Sequence, residues 1–339
     1  MPRFVFPTKN YFSDNFVSRF ISLVLIASAA TGLNASDAVA NETSPNTLET
    51  SVKTKAATSK SLKTSSATSV TVFAAGDIAD CRKKAAAGTM AAKTANIIEA
   101  GLAADSKAIA ITLGDNTYPV GNPEEFTKCY EPTWGKFKVR TLPSPGNHDY
   151  DMPAAQGYYN YFGELAGPEK RGYYSSKVGQ WQIISLNSNI EGAQMQAQLY
   201  WLKDELSNKH QTRCTLAFWH HPAFSSGGHG NNAVMQPVWK LLAEAKADIV
   251  LAGHDHDYER FAPLNADGLI DQKNGIRSFV VGTGGAKLTP MFFPKVITEV
   301  RDNSTPGVLK LTLHDKNYEW EFIPVDGSGF TDKGAGVCH

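Results

Sequence analysis

Residues 248–256 read DIVLAGHDH, a short apolar run that ends in a Gly-His-x-His motif. An apolar run of this length followed by glycine is typical of a buried β-strand. Two histidines one residue apart directly after a strand rarely serve packing, so His254 and His256 are candidate metal ligands. The same pattern, an apolar run followed by a ligand type, recurs along the chain.

Four earlier blocks repeat it. SVTVFAAGD (69–77) ends in Gly76-Asp77, AIAITLGD (108–115) ends in Gly114-Asp115, and CTLAFWHH (214–221) ends in two histidines. The block Gly146-Asn147-His148-Asp149 is the fifth ligand-bearing segment. Each block alone is consistent with an ordinary turn. Five blocks that each deliver Asp, Asn or His are difficult to explain by turns alone.

Helical patterns alternate with these strands, which predicts an α/β domain. The predicted helices are Ala85–Leu102, Met195–Leu206 and Ala233–Ala245; the further strands are Trp181–Ser188 and Ser278–Gly285, followed by a hairpin over Gly307–Val325. In open α/β sheets, ligands bind at the carboxyl ends of the strands. The ligand-bearing blocks lie at those ends, so the sequence predicts one site there.

The composition fits a folded, soluble body. The chain has 339 residues, is 42% hydrophobic and carries no formal net charge. Such a composition can build a substantial core. The absence of a basic excess gives no sign of nucleic-acid binding.

Residues 1–40 are predicted to be a signal peptide. Positive residues precede the apolar run Phe20–Ala30, which is too short for a comfortable membrane span. Ala38-Val39-Ala40 fits signal peptidase, Ala27-Ser28-Ala29 is a second possible cleavage site, and an uncleaved anchor is the alternative. We therefore expect export to the periplasm or the extracellular space, with no membrane span after cleavage.

Two further regions follow from composition. Residues 41–69 are rich in Ser, Thr, Lys and Ala and are predicted to be a disordered linker. Residues 70–339 are predicted to form one catalytic domain.

Export makes disulfides possible for the four cysteines, which allow three pairings, with free thiols as the alternative. We favour Cys81 with Cys129, since both follow strands whose ends should lie together, and Cys214 with Cys338.

Carboxylates, imidazoles and an amide oxygen are the donor mixture that two metal ions need. In the order in which they occur here, the five blocks resemble the pattern of the calcineurin-like metallophosphoesterase superfamily. The resemblance implies a four-layer α/β/β/α sandwich of two mixed β-sheets flanked by helices. Two metal ions a few ångströms apart can clamp the attacking and leaving oxygens of a phosphoryl transfer.

One departure refines the resemblance. Many members of the superfamily have histidine two residues after the first Asp, where this chain has Ala79. Tyr118 lies three residues after Asp115, as in the purple acid phosphatase branch, where a tyrosine phenolate replaces that histidine. A packed aromatic residue beside Pro119 is the alternative interpretation of Tyr118. A phenolate ligand favours Fe(III).

The resemblance implies a complete ligand set with Asp115 bridging the two ions. Site one, predicted to hold Fe(III), takes Asp77, Asp115, Tyr118 and His256. Site two, predicted to hold Fe(II), Zn or Mn, takes Asp115, Asn147, His220 and His254.

His148 is the candidate for phosphate binding and leaving-group protonation, because imidazole titrates near working pH. Asp149 either orients His148 or caps a turn. We call the predicted ligands of the two sites the cage. His221, beside the cage, and His229, in a Gly-rich loop, are candidate substrate-binding residues.

The predicted function is that of a secreted dinuclear-metal phosphoesterase, similar to acid phosphatases. It would hydrolyse phosphate monoesters by attack of a metal-bound hydroxide. The same cage would serve a phosphodiesterase or nucleotidase, and a non-catalytic binding module on the same fold is the remote alternative.

Overall fold

The computed structural model describes residues 69–208, 212–291, 293–327 and 329–339. The predicted signal peptide (1–40) and nearly all of the predicted linker (41–69) lie outside the described residues, so both stay predictions. In the described part of the chain, no helix has the length and apolar character needed to cross a membrane.

Within these described ranges, thirteen strands form two mixed sheets. The first sheet has the strand order β13-β12-β11-β1-β2-β3. Its strands are β1 (Val70–Ala75), β2 (Ile109–Leu113), β3 (Thr141–Ser144), β11 (Gly307–Leu313), β12 (Asn317–Pro324) and β13 (Lys333–Val337). Strands β1, β2 and β3 pair in parallel, whereas β11, β12 and β13 pair antiparallel. The parallel carboxyl ends therefore meet at one edge.

The second sheet has the order β10-β8-β9-β7-β6-β5-β4. Its strands are β4 (Tyr174–Val178), β5 (Trp181–Ser185), β6 (Cys214–Phe218), β7 (Ile249–Ala252), β8 (Tyr258–Phe261), β9 (Arg277–Val281) and β10 (Thr298–Asp302). Strands β5, β6, β7 and β9 are parallel to one another, and β4, β8 and β10 are antiparallel to their neighbours. This sheet thus also gathers several carboxyl ends at one edge.

The described residues form six α-helices. They are α1 (Met90–Ala104), α2 (Pro123–Glu125), α3 (Asn147–Tyr150), α4 (Gln156–Phe162), α5 (Gly192–Ser207) and α6 (Gln236–Glu244). Helix α1 packs on the first sheet: Phe73 of β1 occupies the space where a Cβ on Gly101 would lie. Helices α5 and α6 contact each other and share a core with the second sheet.

Alternate residues of the second sheet enter two different cores, as the period of two in a strand requires. Ile183, Leu216 and Leu251 join the core that lies between the sheets. Ala217 and Val250 join the core under α5 and α6. The predicted arrangement of two mixed sheets flanked by helices is confirmed.

Local boundaries differ from the predicted ones where polar residues intervene. The first helix begins at Met90 rather than Ala85, because the Thr89 side chain accepts a hydrogen bond from Ala92 N and caps it. Residues 86–88 form a short 3₁₀ turn instead. Strands β3, β4, β8, β10 and β13 were not predicted, because their sequences are short or only partly apolar.

Both favoured disulfides are present. Cys81 is bonded to Cys129 and Cys214 to Cys338. The first bond joins the loop after β1 to the segment that follows α2, and the second holds the C-terminus against β6. The four cysteines contain no free thiol.

Candidate metal centre

The predicted ligands lie together at the carboxyl edge of both sheets. Asp77 follows β1, Asp115 follows β2, and Asn147 opens α3 after β3. His220 follows β6, and the Gly-His-x-His segment follows β7. The structure therefore brings together side chains from five strand ends, as expected for a site at this edge.

Three of these residues have strained backbones. Asp77 (φ 61°), Asp115 (φ 47°) and His254 (φ 74°) all occupy the left-handed region. Such a conformation costs a non-glycine residue about 1–2 kcal/mol, and it persists only where the surroundings enforce it. The fold enforces it here: Asp77 N donates to Gly114 O (3.1 Å), and His254 N donates to Asp77 Oδ2 (2.9 Å). The left-handed conformation directs the three side chains toward the site.

Two glycines leave room for the ligands. A Cβ on Gly146 would lie 2.1 Å from Asp115 Oδ1, and a Cβ on Gly114 would lie 2.5 Å from His220 Nδ1. Gly114 also has φ +84°, which favours glycine. Close approach thus requires both glycines, and at Gly114 the positive φ is a second reason.

The site-one half of the cage holds four oxygen and nitrogen donors close together. Tyr118 Oη lies 3.1 Å from Asp77 Oδ1, 3.1 Å from Asp115 Oδ2 and 3.2 Å from His256 Nε2. His256 Nε2 lies 3.2 Å from Asp77 Oδ1. Tyr118 is buried, so it is packed, but its hydroxyl converges on the predicted ligands.

The site-two half is built around His220. Its Nε2 lies 3.0 Å from Asn147 Oδ1, 3.2 Å from His254 Nδ1 and 3.3 Å from Asp115 Oδ1. Asp115 therefore presents Oδ2 to the first half and Oδ1 to the second. This is the geometry that a bridging carboxylate needs.

Backbone carbonyls fix which imidazole nitrogens face the cage. His220 Nδ1 donates to Leu113 O (2.8 Å), and His256 Nδ1 donates to Lys287 O (2.8 Å). A carbonyl only accepts, so each ring carries its hydrogen on Nδ1 and turns Nε2 toward carboxylate oxygens. Two lone pairs at this distance repel unless a proton or a metal ion lies between them. The donor set therefore fits cations, and carbonyl support of this kind is usual for metal-binding histidines.

The charges of the cage shift several pKa values. Burial lowers the pKa of His220 and His256, but Asp115 next to His220 and Asp77 next to His256 outweigh burial and raise each pKa to about 9. Burial raises the pKa of Asp115, yet the charge of His220 holds it well below its usual value. Without metal, protons on the two imidazoles take the place of cations.

Tyr118 and His254 shift in the opposite sense. Burial, together with the charges of Asp115 and Asp77, raises the pKa of Tyr118 well above its usual value. Burial, together with the charge of His220, lowers the pKa of His254 to about 2. His254 is thus already neutral, as a metal ligand must be, whereas Tyr118 must lose a proton to bind as a phenolate.

His148 lies at the mouth of the cage. Its Nδ1 is 2.6 Å from Pro119 O and 3.2 Å from Asp151 Oδ2, and its Nε2 is 3.9 Å from Asp115 Oδ2. A carboxylate thus orients this ring, but it belongs to Asp151. Asp149 is fully buried and accepts hydrogen bonds from Gly146 N (2.8 Å) and Asn116 Nδ2 (2.9 Å). Of the two roles expected for Asp149, the structure supports the cap.

His221 and His229 flank the second half of the cage. The His221 ring centroid lies 4.4 Å from that of His254, and Nδ1 lies 2.8 Å from Ser188 Oγ. The His229 ring lies 4.3 Å from His254, and its Nδ1 donates to Asp255 Oδ1 (2.9 Å). Burial and the charge of His220 lower the pKa of His221 to about 3, so its ring is neutral.

Hydrogen bonds to two buried carboxylates anchor the Gly-rich loop around His229. The hydroxyl of Ser225 and the backbone amide of Ser226 both hydrogen-bond to Glu259, and Ser225 also contacts Asp255. Both serines are buried. The hydrogen-bond donors of Ser225 and Ser226 therefore hold the loop in place. His229, in the same loop, lies beside the cage.

Three supporting residues were missed from the sequence. Asp151 lies three residues after His148 on one turn, a spacing that brings side chains together and could have indicated it. Ser188 and Lys287 reach the site from distant segments, Lys287 only through its carbonyl. For these two contacts the local sequence carries no signal.

Comparison with known proteins agrees with this geometry. The model of the calcineurin-like phosphoesterase family matches residues 70–258, more than half of the chain. The chain belongs to the calcineurin-like phosphoesterase family. The matched range contains all five ligand-bearing blocks, and membership in this family implies two metal ions.

Relatives support the resemblance to the purple acid phosphatase branch. Purple acid phosphatase 23 of Arabidopsis thaliana is 31% identical over 155 residues, 39% of this chain and 34% of the relative. An uncharacterized protein of Mycobacterium tuberculosis is 28% identical over 207 residues, 48% of this chain and 39% of the relative. The matches thus span only about a third to two fifths of these relatives.

Solved structures show the same fold. A purple acid phosphatase from yellow lupin seeds superimposes with a TM-score of 0.61 at 18% identity, over 79% of this chain and 54% of that one. GAP50, the anchor in the inner membrane complex of Plasmodium, gives 0.60 at 16% identity, over 78% of this chain and 88% of that one. At such identities the likeness concerns the fold alone.

Proposed function

We propose that the chain is an exported dinuclear-metal phosphoesterase that hydrolyses phosphate monoesters, similar to acid phosphatases. Membership in the calcineurin-like phosphoesterase family supports metal-dependent phosphoester hydrolysis as the reaction class. The observation that carries the proposal is that two four-donor sets share the two oxygens of Asp115. Residues 70–339 would form the catalytic domain.

The donor chemistry suggests different ions for the two halves. Asp77, Asp115 and a Tyr118 phenolate offer hard anionic oxygens with one imidazole, which suits Fe(III). Two imidazoles, an amide oxygen and the shared carboxylate suit Fe(II), Zn or Mn. When bound, two such ions polarise a phosphoryl oxygen and lower the pKa of water toward neutrality.

His148 would bind a phosphate oxygen and protonate the leaving oxygen. Pro119 O and Asp151 hold its Nδ1, so Nε2 is left to face the cage. This is the arrangement of a general acid with an orienting partner.

His229 and His221 would contact the substrate on the site-two side. The fully buried carboxylate of Asp255 fixes His229 through Nδ1, and this leaves Nε2 to donate or accept. His221 is held by Ser188 and is neutral, so it contributes a hydrogen bond without adding charge.

Export is supported by the two disulfides, which persist in oxidising compartments. A charged phosphate ester crosses membranes poorly, so an enzyme outside the cytoplasm can act on esters that the cell cannot take up. A phosphodiesterase or nucleotidase would use the same cage.

The fold alone does not establish catalysis. GAP50, which shares this fold, is an anchor in the inner membrane complex of Plasmodium. A non-catalytic module would be expected to have lost ligands, whereas every ligand position of this chain is filled. The intact cage therefore favours an enzyme over a binding module.

A pH profile on matched aryl phosphate monoesters and diesters, with metal analysis of the same sample, tests the proposal. We expect two ions per chain and a higher kcat/KM for the monoester. His148→Ala should reduce kcat and leave the metal content unchanged. Two bound ions without hydrolysis of either ester would contradict the proposed function, and a preference for the diester would replace it by the alternative.

A further inference from the structure

A cavity of about 470 Å³ is lined mainly by positively charged side chains. It is lined by one carboxylate and five cationic side chains, namely Asp80, Arg82, Lys83, Lys84, Lys93 and Lys287. We call it the basic cavity. The whole chain carries no net charge, so this excess of positive charge is local.

Only part of this charge is neutralised. Arg82 forms two hydrogen bonds with Asp80 (2.8 and 2.7 Å), and Lys93 pairs with Asp326. For Lys83, Lys84 and Lys287, the described part of the chain shows no ion pair. A single exposed lysine is usually solvated and contributes little. Three unpaired lysines around one concavity focus a positive potential there, and that potential attracts anions.

The basic cavity borders the site-one half of the cage. Lys287 supplies the carbonyl that orients the ligand His256 (2.8 Å), and the neighbouring Ala286 N donates to Asp77 O (2.8 Å). The Arg82 guanidinium lies 5.8 Å from the centroid of the Tyr118 ring. The same loops thus line the basic cavity and hold site-one ligands. The disulfide at Cys81 anchors the loop that carries Arg82 and its neighbouring lysines.

The cavity on the other side of the cage has the opposite character. It measures about 320 Å³ and includes Asn147 and His221. Its lining also contains Asp151 and Glu191 and has no Lys or Arg. A second anionic group of a substrate would be repelled there. The two flanks of the cage therefore favour one orientation for a substrate with more than one negative group.

The geometry points to a second phosphate-binding subsite in the basic cavity, which holds an uncleaved phosphate of a substrate that carries at least two. This inference rests on the proposed function and adds a substrate class to it. Water oxygen forms the new bond to the scissile phosphorus, the bond to the leaving oxygen breaks, and that oxygen takes up a proton. The second phosphate stays on the product.

Matched substrates test the subsite. The kcat/KM of the metal-loaded enzyme would be measured for alkanediol monophosphates and the bisphosphates of the same diols, over a series of chain lengths. Inorganic tripolyphosphate would distinguish an inorganic chain from an organic bisphosphate. We expect a bisphosphate preference at one or more lengths. That preference should fall roughly tenfold in Lys83→Ala/Lys84→Ala, because this variant removes two of the three lysines without an ion pair among the described residues, and exposed pairs are individually weak.

Lys203→Ala/Lys240→Ala, which removes two lysines from a groove between α5 and α6, is the matched control. It should retain the preference. Lys287→Ala should lower the preference independently, and added salt should lower it in the wild type. A preference equal in all variants, or no preference in the wild type, would overturn the subsite while monophosphate hydrolysis still supports the proposed function. Absence of all hydrolysis would overturn both.

Discussion

The two halves of the metal cage differ in charge although they share Asp115. The site-one half combines two carboxylates, a phenol and one imidazole, whereas the site-two half has one amide and two imidazoles besides the shared carboxylate. Hard anionic oxygens favour a trivalent ion, and neutral nitrogen and amide donors suit a divalent one. The two unlike ions proposed above would fit side by side, because Asp77 and Tyr118 belong only to the first half. Asn147 after β3 and His220 after β6 belong only to the second.

Asp115→Ala should have the largest effect, because it removes a donor from both halves. We expect loss of both ions and a fall of kcat/KM by more than about a thousandfold, since metal-ion stabilisation is worth several kcal/mol. Metal analysis and kinetics would be compared with Asp267→Ala, which removes an exposed carboxylate between β8 and β9. Two ions per chain in Asp115→Ala would contradict the shared role.

Gly146→Ala should disturb both halves without removing a ligand. The new Cβ would lie 2.1 Å from Asp115 Oδ1, so Asp115 or the loop must shift. We expect lower metal content and a free energy of unfolding reduced by about 1–3 kcal/mol, as for other overpacked sites. Gly329→Ala, where nothing lies within 4 Å, is the control for the substitution itself. Equal stability and metal content of the two variants would refute the close approach.

Tyr118→Phe should separate the halves. We expect loss of a purple or pink colour, weaker binding of one ion, and retention of the other, because only site one uses the phenol. The measurement is visible absorption with metal analysis. Tyr158→Phe is a matched control, because its buried hydroxyl has no hydrogen-bond partner among the described residues. A colourless wild type holding Zn or Mn would refute the iron assignment.

The release of protons on metal binding is the smallest expected effect, and it should differ between the two halves of the cage. Near pH 7, filling site one should release about two protons, from His256 (pKa about 9) and Tyr118. Filling site two should release about one, from His220 (pKa about 9), since His254 is already neutral. The affinity of site two should therefore rise with pH up to about 9, whereas the affinity of site one should keep rising above that pH, because the pKa of Tyr118 is higher. Calorimetry in buffers of different ionisation enthalpy measures this release, and equal release at the two sites would contradict the asymmetry.

Sequence reasoning could identify the proposed ligands but not the groups that support them. Asp77, Asp115 and His254 stand directly after apolar strands, so their placement follows from the strand period and the shared sheet edge. Tyr118 was found because it occurs where Ala79 leaves a gap. The supports could not be found in this way, since the carbonyls of Leu113 and Lys287 carry no side-chain signal and meet the rings only after folding.

The same limit explains the differences in the fold. Apolar strands such as β1 and β2 were predicted, whereas β8 and β10 carry charged residues that pair across the sheet. Arg260 of β8 binds Asp332 and Glu299, and this partnership makes a charged strand possible. The local sequence also did not show which carboxylate contacts His148. Asp151 does so, whereas the adjacent Asp149 binds Gly146 N.

Anomalous diffraction from crystals of the metal-loaded protein would show whether two metal ions share Asp115. We expect two peaks on either side of Asp115, one among Asp77, Tyr118 and His256 and the other among Asn147, His220 and His254. The ligating atoms of His220, His221 and His254 also lie within 4.8 Å of one another. A single peak on that histidine triad, with Asp115 and Tyr118 uncoordinated, would contradict the shared dinuclear cage.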